Sequence, residues 1–141
     1  MKHMLDISEF LVACWALVDR GNRIPTSHGI LDRALKEAVD NDACPSWVRD
    51  GLNFVDSRIG LQCIELPALL DWAQRAQLTS APNPSYQSAQ IEVSKEAAAR
   101  LVQDLGVDVE DARHWGVVLH QYAESARNSS YPDHVMAIED Y

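Results

Sequence analysis

Paired cysteines, phosphate-cradling glycines, an excess of basic charge and long apolar runs are all missing from this chain. Cys14, Cys44 and Cys63 are its three cysteines. They stand far apart and form no CxxC pair, which argues against a zinc site and against a disulfide framework. The six glycines, at positions 21, 29, 51, 60, 106 and 116, are all isolated, so no glycine-rich loop is offered to a phosphate. There is no GxSxG elbow for a nucleophilic serine and no HExxH pair for zinc. The longest wholly apolar run, FLVACWALV, has nine residues, about half of what a bilayer crossing needs. Asp6 and Glu9 bracket its start, unlike a secretory leader. Reduced thiols then make the cytoplasm the expected location.

Basic residues are scarce: 12 Lys and Arg stand against 21 Asp and Glu, a net charge of −9. A field of that sign repels nucleic-acid backbones and anionic membranes and attracts basic partners. Neither nucleic acid nor membrane is therefore expected as a partner. The imbalance is uneven, because residues 76–141 hold ten acids and four bases, while residues 1–75 hold eleven and eight. At 141 residues and 47% hydrophobic, the chain suits one domain with a genuine core.

The periodicity is helical almost throughout. Asp6, with Glu9 three residues on, resembles a capping box opening a first helix, and Gly21 is its expected stop. Ile7, Phe10, Leu11, Cys14, Leu17 and Val18 make one apolar stripe, while Val12, Ala13, Trp15 and Ala16 fill the other faces. A helix apolar all round belongs at the centre of a core. The second helix is expected from Thr26 or Ser27 to about Asn41, with Leu31, Ala34, Leu35 and Ala38 inward and Asp32, Arg33, Lys36, Glu37 and Asp40 in solvent. Pro45 suits the first turn of a third helix, and the spacing of Trp47, Val48, Gly51, Leu52 and Val55 carries that helix to about Ser57. The competing reading of LNFVDSRIGLQCIEL is a hairpin turning around Asp56 to Gly60.

A fourth helix has Pro67 in its first turn and Leu69, Leu70, Trp72, Ala73 and Ala76 inward. TSAPNPSYQSAQ, residues 79–90, has two prolines and no charge and reads as a flexible linker. QIEVS reads as a short extended segment. Ser94 caps a fifth helix ending at Gly106. Asp108 caps a sixth, whose inner face is Val109, Ala112, Trp115, Leu119, Tyr122 and Ala126. The fold expected is mainly α, a single-domain bundle of five or six helices with room for one short β pair, in a helical domain 1–128 and a docked or mobile tail 129–141.

No catalytic residue, metal ligand or cofactor site is assigned. Glu110 with His114, and His120 with Glu124, each share a helix face, but His114 and His120 lie six apart and do not face the same way. The stretch LVQDLGVDVEDARHW has the rhythm of a helix-turn-helix. A DNA reader there needs bases for phosphates and donors for base edges. It holds instead four acids, Asp104, Asp108, Glu110 and Asp111, with no base between positions 104 and 111. A structural helical hairpin is the expectation. Trp47, opening its helix near Arg49 and Arg58, is the one indole expected to stay partly exposed, as interface anchors do. The function expected is a small acidic non-enzymatic protein-binding protein, of inhibitor, immunity or adaptor type, that engages a basic surface on a protein through Asp104, Asp108, Glu110, Asp111 and Trp47. Nucleic-acid mimicry is a variant of it. The rivals are a helix-turn-helix or winged-helix DNA regulator, and a small enzyme or ligand-binding domain with a cleft site.

Overall fold

The computed structural model describes residues 3–19, 22–27, 29–81 and 87–139, with residues 129–139 described by their backbone alone. Gly21 and His28 lie outside the described residues. Helix α1 (Met4–Ala16) is buried without a break from Phe10 to Ala16, and Leu17 beyond it is buried too. Its start differs from the expectation. Asp6 is not the cap but a first-turn residue, whose carboxylate accepts the His3 backbone N–H at 2.8 Å, so the helix begins at Met4.

Four further helices close around α1: α3 (Ser46–Gly51), α4 (Leu66–Arg75), α5 (Lys95–Asp104) and α6 (Val109–Glu139). Helix α2 (Ile30–Ala38) packs along α6 and outside α1. The mainly α architecture, with six helices among the described residues, is as the apolar periods indicate. Two short antiparallel pairs accompany them. Strand β1 (Arg23–Pro25) pairs with β4 (Ser88–Gln90), Ile24 opposite Ala89. Strand β2 (Phe54–Ser57) pairs with β3 (Gly60–Cys63), Phe54 opposite Cys63.

The second pair corrects the expectation of helix to Ser57. Helix α3 stops at Gly51, and Leu52 is already extended, at φ −115° and ψ 134°. The hairpin turns at Arg58 and Ile59, where Gly60 supplies a left-handed backbone (φ +110°) and Ser57 Oγ donates to its carbonyl at 2.8 Å. Its base is locked by Glu65, which accepts both the backbone N–H and the side-chain amide of Asn53 at 2.7 Å. Glycine weakens a helix by about 1 kcal/mol, so a fixed hairpin beyond it prevails over a continued apolar period.

Asp32 is a second correction. Its sequence position puts it on the solvent face of α2, yet it is 5% exposed. Its carboxylate takes the Gly29 N–H at 3.2 Å and the Cys63 N–H at 2.7 Å, capping α2 and pinning β3 to it. Helix α4 turns Leu66, Leu69 and Ala73 inward, which leaves Trp72, on its flank, 40% exposed and Ala76 in solvent. Trp72 was expected inside; the Arg75 guanidinium sits 5.9 Å from its ring instead. Tyr122, also expected inside, is 40% exposed, and Ala123 takes the inward position on α6.

The 79–90 segment is bonded at both ends: Thr79 bridges Ile91, and Ser80 Oγ accepts the Gln90 N–H at 2.9 Å. Residues 82–86 lie outside the described residues. Ser94 caps α5 by accepting the Ala97 N–H at 3.1 Å. Helix α6 continues as backbone through Glu139, past the point where a tail was expected to begin.

Two close contacts, at Trp115 and Gly116, set how helix α6 lies on its neighbours. Trp115 is fully buried, its indole N–H donating to the Ala38 carbonyl at 2.8 Å and its ring 5.4 Å from that of Phe10. It thus ties α6 to α1 and α2. At the next residue, Gly116 lets the backbones of α1 and α6 touch: a β-carbon there would lie 2.2 Å from the Cys14 carbonyl oxygen. Gly116→Ala gains about 1 kcal/mol in helix propensity but forces the two helices apart. The net expectation is a loss of about 1–3 kcal/mol, read as a lower urea midpoint. An unchanged or raised midpoint would show that the contact is not close.

Candidate functional site

Two rigid turns face one another across an open cleft of about 590 Å³, lined by residues 41–47 on one side and by Gly106, Val107, Asp108, Asp111 and His114 on the other. The first turn follows α2. Asn41 Oδ1 accepts the Ala43 N–H at 2.9 Å, and the Asn41 carbonyl accepts the Cys44 N–H at the same distance. Arg49 then clamps it from α3, donating to the carbonyls of Val39 at 2.8 Å and Cys44 at 3.4 Å.

The second turn joins α5 to α6. Gly106, at φ +81°, ends α5. Its N–H reaches the Gln103 carbonyl, and the Val107 N–H reaches that of Val102, each at 2.9 Å. This left-handed closure satisfies helix-end carbonyls that would otherwise lack partners. Asp108 Oδ2 then accepts the N–H groups of Glu110 at 3.0 Å and Asp111 at 3.2 Å, capping α6 as its sequence position implies.

The cleft joins residues that the sequence keeps sixty positions apart. Trp47 is half-buried, edge-on to Phe10 with ring centres 5.3 Å apart, and borders the cleft with Asp108 and Asp111. Asp42 adds a third carboxylate, and His114 a titratable ring. No Lys or Arg is among the described residues lining it. The other two acids of the corner lie apart. Glu110 is exposed and does not border the cleft. Asp104 faces Glu9, whose pKa is raised by burial first and then by the charges of Asp6 and Asp104.

The remaining chemistry-bearing groups are held in structural roles. The Cys44 thiol, on the cleft wall, is pushed up to about 11 by burial, and that of Cys63 to about 12; burial raises Cys14 as well. A thiol that keeps its proton is a poor nucleophile. His120 stacks on Trp15 with ring centres 3.6 Å apart, and its Nε2 lies 3.2 Å from the Trp15 carbonyl oxygen, so that nitrogen carries the proton. Among the described residues, no three His, Cys, Asp or Glu side chains gather as a metal site. No described helix is long and apolar enough to cross a membrane.

The order α2, α3, hairpin is that of a winged helix, which bears on the DNA-binding alternative. Here β1 pairs with β4 and not with the hairpin. Arg49, the one base on α3, is turned onto loop carbonyls. Comparison with known protein families, curated proteins and solved structures returns no match.

The buried thiols fix a pH signature. Folded, they hold their protons to about 11 and 12; unfolded, they ionise near 9.0. Above pH 9 the unfolded state therefore binds fewer protons than the folded one, and stability falls as pH rises, by about 1.4 kcal/mol per pH unit per thiol. Denaturant midpoints measured from pH 8 to 11 should fall steeply. A triple Cys→Ala variant, if folded, should show a shallower decline; an equal slope would mean the thiols are not the cause.

Proposed function

We propose that this chain is a non-enzymatic protein-binding protein, of inhibitor, immunity or adaptor type, that takes a basic segment of a partner protein into the cleft between Trp47 and the α5–α6 corner. The observation that carries this reading is the convergence of Trp47 with Asp42, Asp108 and Asp111 around one open cleft. An aromatic face and carboxylates together suit an Arg or Lys side chain. Each close charge pair is worth about 1 kcal/mol in water and up to about 4 near a protein surface, and a cation over an indole adds about 0.5–2 kcal/mol. The Arg49 clamp and the capped corner hold both walls before binding, so little ordering entropy is lost on docking. The surrounding charge, −9 over the whole chain, steers a basic partner inward. Imitation of a nucleic acid, to block a protein that binds one, is a variant of the same chemistry.

The second reading, a DNA-binding regulator, draws on the helix–helix–hairpin order. Its phosphate contacts would fall to Arg58 at the hairpin turn, beside Asp56. Asp40 and Asp42 precede its α3 and Asp50 lies within it.

The test is kinetic. Once a partner is isolated by pull-down and purified, Asp42→Lys/Asp111→Lys should slow association at least about tenfold and flatten its salt dependence, since rim charge acts mainly on the on-rate. The melting temperature should change little, as reversing one exposed first-turn charge on α6 costs about 1–2 kcal/mol at most. Wild-type association kinetics in the double variant would refute the reading. Retardation of random duplex DNA at physiological salt would favour the regulator in its place.

A further inference from the structure

A second cavity, of about 620 Å³, opens between β3, α4, the first turn of α2 and the end of β1. We propose that it binds a small organic cation with a compact apolar body, such as an arylalkyl amine. Its size falls within the range of about 300–1,000 Å³ typical of small-molecule sites.

Three features on its wall select that chemistry. The first is apolar surface left open: Ile64 is 56% exposed and borders the cavity beside half-buried Leu70. The strand alternation explains why. Cys63 turns inward, so its neighbour Ile64 must face out, across from Asn53, whose carbonyl accepts the Ile64 N–H at 2.9 Å. The second is charge of one sign. The ionisable carboxylates on the lining are Asp32 and Asp71, and no Lys or Arg is among the described residues bordering it. Asp32 is 5% exposed and is bonded by two backbone N–H groups, but by no basic side chain among the described residues. A carboxylate has about four acceptor positions, so two remain for a ligand, and a buried negative charge gains most from a cation brought to it. Asp71 pairs with Arg75 at 3.0 Å on the exposed side of α4, an arrangement worth little in water. The third is a pair of neutral amides, Gln62 and Gln74, which offer donors and acceptors without a positive charge to repel the ligand. An anion meets no Lys or Arg on the described lining, and a purely apolar molecule leaves the remaining acceptor positions of Asp32 unused.

This cavity is separate from the Trp47 cleft, so either can fail without the other. The test is a titration of the uniformly 15N-labelled full chain by NMR, with 2-phenylethylamine and, as a charge-reversed control of similar size, 3-phenylpropionate. The amine should shift the Cys63 backbone signal and the side-chain amides of Gln62 and Gln74, with half-saturation on the order of 1 mM for so small a ligand. The acid should bind at least about tenfold more weakly. Ile64→Ser, at an exposed position, should leave melting unchanged and weaken the amine at least about threefold. Asp71→Asn should weaken it more modestly, and Asp32→Asn, provided its circular dichroism is native, about tenfold. Equal binding of amine and acid, an unaffected Ile64→Ser variant, or no shift of these signals at about 20 mM amine would each overturn the proposal.

Discussion

From Phe10 to Ala16, helix α1 has no side on which to meet water, and the rest of the fold follows from that. A helix apolar on every face can be stable in solution only when neighbours cover it all round. Helices α3, α4, α5 and α6 do so. Close cover requires something small at the crossing, which is why Gly116 stands where α6 lies on the Cys14 carbonyl. It also requires that the polar edges of buried rings be satisfied. The indole N–H of Trp15 donates to the Arg23 carbonyl at 2.7 Å, and that of Trp115 to the Ala38 carbonyl at 2.8 Å. Ser8, fully buried, gives its hydroxyl to the Leu69 carbonyl at 2.6 Å. Each of these bonds joins α1 or α6 to another element, so the packing order of the helices is specified as well as stabilised.

The cleft is a consequence of that packing. Trp115 binds the end of α2 to the first turns of α6, so the loop leaving α2 and the corner entering α6 must lie side by side. Phe10 of α1 touches both Trp115 and Trp47, which sets the depth of the indole at the cleft. The walls are then stiffened locally, by Arg49 on one side and by Gly106 with Asp108 on the other. What the cleft offers is a fixed array of carboxylates beside an aromatic face, the kind of surface that acts by electrostatic complementarity.

Much of this was legible in the sequence wherever the signal was local and strong. The all-apolar period of α1 gave its central position, and Gly106 and Asp108 gave the α5–α6 corner, because capping chemistry depends on residues within one turn. Misreadings occurred where a distant partner decided the outcome. Asp32 has the sequence context of a solvent-facing carboxylate; the Cys63 N–H, 31 residues on, draws it inward. Residues 52–57 carry a plausible helical period, and the hairpin wins through Asn53 and Glu65, 12 apart. Trp72 was lost for a simpler reason: inward and flank positions differ by a fraction of a turn, which hydrophobicity alone does not resolve. At the candidate site, the sequence marks Asp108 and Asp111 as members of one acidic corner and Trp47 as a separate exposed indole. Their shared cleft was not visible, and neither was Asp42, since only the α2–α6 packing brings the 41–47 loop alongside them.

The proposal that the cleft is the binding surface meets its most direct test in the location of contact. The four tryptophans give four indole N–H signals, two of which, those of Trp15 and Trp115, report on core hydrogen bonds. In a 15N NMR titration of the full chain with a deca-arginine peptide, the account predicts movement of the Trp47 indole and of the backbone signals of Asp42, Asp111 and His114, with the Trp15 and Trp115 indoles fixed. A Trp47 indole that stays still while shifts spread evenly over exposed acids elsewhere, such as Glu92 and Glu96, would contradict it.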